Sequence, residues 1–83
     1  MWVSPDGQRR IGAELAAVRL NAGLTQAQLA KKLRKPQSFV SAYERGQRRL
    51  DLIEFLRIVD ALERDPRRVF ARIVTAGGTA QRG

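Results

Sequence analysis

The stretch from Thr25 to Gly46, TQAQLAKKLRKPQSFVSAYERG, constrains the fold most. Thr25 and Gln28 stand at capping-box spacing, where a hydroxyl and a side-chain amide each satisfy an orphan N–H at a helix start. Leu29, Ala30 and Leu33 follow as the inner face of that helix. Arg34-Lys35-Pro36 breaks the pattern, and proline suits a first helical position because its missing N–H has no intrahelical partner to lose. Val40 and Tyr43 then point inward, and Gly46 is a stop residue that tolerates positive φ. The spacing predicts two short helices, 25–33 and 36–45, joined by a tight turn, which is the helix-turn-helix unit.

Charge is concentrated on the same stretch. The chain has 16 Lys+Arg and 8 Asp+Glu, a net charge of +8. Residues 26–49 hold Lys31, Lys32, Arg34, Lys35, Arg45, Arg48 and Arg49 against Glu44 alone, which is +6 of that total. A generally basic surface would spread its charge evenly. One collected on a single helix pair has the electrostatic footprint of a polyanion-binding face.

The flanks supply three further helices. Ile11, Leu15, Val18 and Ala22 share one face of a helix over 7–22, and Gly23 ends it. Asp51 and Glu54 form a second cap pair for a helix over 51–63, with Leu52, Phe55, Leu56, Val59 and Leu62 as its apolar stripe. Asp65-Pro66 starts a fifth helix over 66–75, with Val69, Phe70 and Ile73 inward. Residues 1–6 read as an arm whose Trp2 and Val3 fold back on the body, 7–75 as one domain, and 76–83 as a flexible tail. The expected fold is all-α, with five helices.

Eighty-three residues bury one small core and leave no room for a substrate domain. With no Cys and no His, zinc fingers, thiol chemistry, disulfides and histidine base catalysis are excluded. The acidic i, i+3 pairs Asp51/Glu54 and Asp60/Glu63 are explained by capping and solvation, so no metal and no cofactor is expected. No glycine-rich phosphate cradle appears, and the reading is not an enzyme. No secretory signal or membrane span is expected, and the lack of Cys fits a cytoplasmic location.

The chain over 8–74 resembles the lambda-repressor/Cro type of helix-turn-helix domain, the XRE family. The resemblance rests on L-T-Q-x-x-L-A at Leu24–Ala30 and P-Q-S-F-V-S-x-Y-E-R-G at Pro36–Gly46. It implies a five-helix double-stranded DNA-binding fold and a transcription regulator. It also implies an ion pair between Arg19 and Glu44. Arg34 departs from the family, which usually places Gly in this turn, so a left-handed backbone there would be strained.

In such a unit the second helix enters the major groove with its N-terminal residues at base edges. Those are Gln37, Ser38 and Phe39, with Ala42 a turn later. Gln bonds bidentately to adenine, Ser to either partner, and Ala42 and Phe39 suit thymine methyls. Phe39 also suits the core edge. Phosphate contacts are expected from Gln26 at a helix start, from Lys35 and Ser41, and from Arg45, Arg48 and Arg49. A homodimer on DNA is expected, because one recognition helix reads few base pairs. Its interface is expected at Ile53, Val69 and Val74, with the Trp2 arm. The resemblance also allows an antitoxin-type interaction module that neutralises a partner toxin.

Overall fold

The computed structural model describes residues 5–78, with side chains to residue 75. The expectations for Trp2, Val3 and the last five residues lie outside these. Among the described residues there are five α-helices and no strand: α1 Pro5–Asn21, α2 Gln26–Leu33, α3 Gln37–Glu44, α4 Leu52–Ala61 and α5 Pro66–Gly78. α1 packs on α3 and α5, α2 on α3 and α4, and α4 on α5.

Local chemistry sets the boundaries. Thr25 and Asp51 each make a complete capping box, with Gln28 and Glu54 returning the bond to the cap N–H. Pro36 stands one residue ahead of α3 in an extended conformation, φ −68° and ψ 154°, rather than inside it. Two ends of the expected domain differ. α1 begins at Pro5, inside the expected arm, because proline's fixed φ suits a first helical turn. α5 runs to Gly78, into the expected tail, since Ala76 is a strong helix former and no proline intervenes.

The first four helices end alike. The N–H of Leu24, Lys35, Gln47 and Arg64 reaches back to the carbonyl of Arg19, Ala30, Ala42 and Val59, and the preceding N–H closes a shorter loop. This paired closure requires a left-handed residue at each end. Glycine supplies it at Gly23 and Gly46, with φ of 78° and 76°. Arg34 and Glu63 supply it at φ 57° each, with the steric cost of a Cβ.

The core joins Leu15 and Val18 of α1, Leu29, Ala30 and Leu33 of α2, and Val40 and Tyr43 of α3. Phe55, Ile58, Val59 and Leu62, with Val69 and Ile73 of α5, complete it. The α4 stripe is rotated from the expected one. Leu52 is 67% exposed and Leu56 43%, whereas Ile58 is fully buried. α4 packs against both α2 and α5, which turns its inner face toward Ile58. Phe70, expected inward, stands edge-on to Phe55 with ring centroids 6.3 Å apart and remains largely exposed.

Candidate nucleic-acid interface

α3 is seated on α1 by a close backbone approach. A Cβ on Gly12 would lie 2.2 Å from the carbonyl oxygen of Tyr43 and 2.6 Å from that of Glu44. Only glycine permits this contact. Gly46 also lies against α1, where a Cβ would come within 2.6 Å of the Arg9 side chain and 2.8 Å of its Cα, and the Gly46 carbonyl accepts a bond from the Gln8 side chain.

A polar chain then runs from α1 to the start of α3. Arg19 Nε donates to Glu44 Oε2 at 2.7 Å and Arg19 Nη2 to Oε1 at 3.1 Å, while Nη1 donates to the Leu24 carbonyl at 2.8 Å. Both side chains are more than nine-tenths buried. Hydrogen bonding to Glu44 raises the Arg19 pKa against the opposing effect of burial. Glu44 Oε1 also accepts from Gln26 Nε2 at 2.9 Å, and Gln26 Oε1 accepts from Gln37 Nε2 at 3.4 Å. Gln26 therefore turns its amide toward the protein, linking both helix starts.

Gln37 and Ser38 are exposed on the first turn of α3, and Ser41 and Ala42 are half-buried. Phe39 is half-buried at the core edge, its ring edge-on to Tyr43 at 5.5 Å. Lys35 Nζ lies 5.4 Å and the Arg48 guanidinium 4.7 Å from the Phe39 centroid. Arg48 also donates bidentately to Glu54, at 3.1 and 2.9 Å, and to the Arg49 carbonyl. That bond holds the Glu54 carboxyl below its ordinary pKa. Arg49 Nε donates to Gln8 Oε1 at 3.2 Å. The Arg45 side chain is exposed and makes no hydrogen bond or ion pair among the described residues.

Three contributors escape a reading by residue type. Gly12 leaves only the signal of a glycine inside a helical pattern. Gln8 and the reach of Glu54 to Arg48 depend on tertiary placement and leave no local signal. For the expected pairing surface, Ile53 and Val74 are exposed, but Val69 is 5% exposed and belongs to the core. Among the described residues no group of three or more acidic or metal-ligating side chains is gathered, and no helix is long and apolar enough to cross a membrane.

A short helix-turn-helix on a five-helix body, basic and with polar side chains at the free end of its second helix, defines a DNA-binding regulator. The helix-turn-helix family model matches residues 15–69, and the chain belongs to that family, in its XRE type. It is 32% identical to the restriction-modification controller protein C.AhdI from Aeromonas hydrophila, with a TM-score of 0.73 over 78% of this chain and 94% of that one. An XRE-family like protein from Pseudomonas syringae pv. tomato is 38% identical, with a TM-score of 0.68 over 82% and 87%. The clp gene regulator ClgR from C. glutamicum shares the fold, with a TM-score of 0.79 over 84% and 91% at 23% identity. No curated protein matches the chain.

Proposed function

We propose that this regulator reads a specific duplex sequence with the first turn of α3 and binds it as a homodimer in the cytoplasm, as a binder and not an enzyme. The exposed Gln37 and Ser38 carry the reading. They stand at the solvent end of a helix whose opposite end is anchored to α1, and the surrounding charge attracts the phosphates.

In this reading Gln37 and Ser38 contact base edges, and Ala42 and the free edge of Phe39 meet thymine methyls. Arg45, Lys35 and Ser41 meet phosphates, joined by Arg49 and by the start of α2 at Gln26. Pairing uses the outer faces of α4 and α5, where Leu52, Ile53, Phe70 and Val74 are exposed. Exposed apolar side chains on neighbouring helices are the surface a second copy would cover.

Selection of binding sites from random duplex DNA tests the reading. An enriched sequence with two half-sites about 34–36 Å apart is expected. Sedimentation on the selected duplex should give two chains per site. No enriched sequence would remove the reading, and one chain per site at saturation would remove the dimer.

A further inference from the structure

Arg48 occupies an unusual place for a cation beside a DNA-binding helix. Its guanidinium makes a bidentate bond with Glu54 and lies over the Phe39 ring. A planar guanidinium suits both contacts at once, since its edge matches a carboxylate and its face stacks on an aromatic ring. Glu54 carries a second role, closing the capping box at the start of α4 through the Asp51 N–H. Phe39 in turn abuts Tyr43 in the core. Only about 20 Å³ of space remains beneath Phe39, among Leu33, Lys35, Glu54, Arg57 and Ile58, room for roughly one water and no ligand.

A continuous path therefore runs from the cap of α4 through Glu54, Arg48 and Phe39 to the first turn of α3. The path through Arg19, Glu44 and Gln26 reaches the same turn at Gln37. We propose that Arg48 is a positioning residue that sets the orientation of the reading turn of α3 through Phe39, rather than a phosphate contact. The proposal rests on α3 being the reading helix. Arg48 has two of its donor nitrogens committed within the protein. A phosphate approaching either nitrogen would have to compete with that charge-assisted fork.

Arg48→Ala and Glu54→Gln separate the two roles because they change net charge in opposite directions. Glutamine at position 54 keeps the capping box while releasing Arg48. Affinity is measured for the selected duplex and for random duplex over a salt series, in the intact chain. If Arg48 positions α3, both variants lower the ratio of specific to random affinity by about tenfold, the worth of one base contact. The double variant is then no worse than the poorer single one. Arg48→Lys fails to rescue, because an ammonium cannot form the fork. Without DNA, amide exchange at Phe39 and Val40 becomes faster in both variants. A phosphate contact would give the opposite pattern. Arg48→Ala would weaken both duplexes alike and flatten the salt slope by about 1, Glu54→Gln would tighten both, Arg48→Lys would rescue, and exchange would stay unchanged. The exchange arm needs no binding site, so it tests the positioning role even if no sequence is enriched, an outcome that would count only against the DNA reading.

Discussion

Where α1 meets α3, backbone touches backbone over Gly12 and a buried ion pair closes the contact. On the outer side of α4 and α5, Leu52, Ile53, Phe70 and Val74 face solvent. The first contact is finished within one chain, and every polar group of the Arg19–Glu44 pair has a partner. The second surface is apolar and uncovered. Under the proposed function the two serve different tasks: the first holds the first turn of α3 in one orientation, and the second is the face open to another copy.

The largest effects should come from breaking the finished contact. Arg19→Ala strands Glu44 in a buried site and is expected to lower stability by about 3–5 kcal/mol in chemical denaturation. Gly12→Ala forces α3 away from α1, with an expected loss of about 1–3 kcal/mol or more, because the obstacle is backbone rather than a movable side chain. Stability near wild type in both variants would show that the α1–α3 contact does not hold α3 in place.

A gain is expected at the helix ends that use left-handed residues other than glycine. Arg34→Gly should stabilise the domain by about 1–2 kcal/mol without abolishing DNA binding. A lower melting temperature would contradict the strain at that position. The glycine's greater freedom in the unfolded chain offsets part of the gain.

Tyr43 gives a smaller effect inside the finished region. Its hydroxyl is buried and has no hydrogen-bond partner among the described residues. Burial, and then the charge of Glu44, push the phenol well above its ordinary pKa. The fold therefore favours the protonated form. Stability should be insensitive to this group below about pH 10 and should fall as pH rises past that unfolded-state value. Tyr43→Phe is expected to raise stability by about 1 kcal/mol and to reduce the alkaline decline. Denaturation of both proteins across the alkaline range measures the difference.

The smallest change in stability should accompany the largest change in assembly. Ile53→Glu alters a side chain that is 70% exposed. Stability should stay within about 0.5 kcal/mol of wild type, while two-chain occupancy of a selected duplex is lost in sedimentation. Unchanged occupancy would move the pairing surface off this part of α4.

The fold was legible where local chemistry decides. Thr25–Gln28, Asp51–Glu54 and Asp65-Pro66 announced three helix starts, and Gly23 and Gly46 two stops. Less legible was the rotation of a helix about its axis. Leu52 and Leu56 fit a helical stripe as well as Ile58 does, and packing against two neighbours chose Ile58. Glu63 gave no sign of its left-handed backbone, because only the closing bonds of α4 impose it. For the candidate site, the basic segment and the residues of α3 could be read from the chain. The clasp of Arg48 by Glu54 could not, since it depends on how α4 returns beside α3.

If the first turn of α3 reads bases, Gln37→Ala removes one of the side chains that do so. Binding profiles of wild type and variant are compared on every single-base change of the selected site and on random duplex. Relaxed preference at one base pair, with a loss of about 1–3 kcal/mol on the specific site and little on random DNA, is the expected result. An equal loss on specific and random duplex, with the preference profile intact, would contradict it.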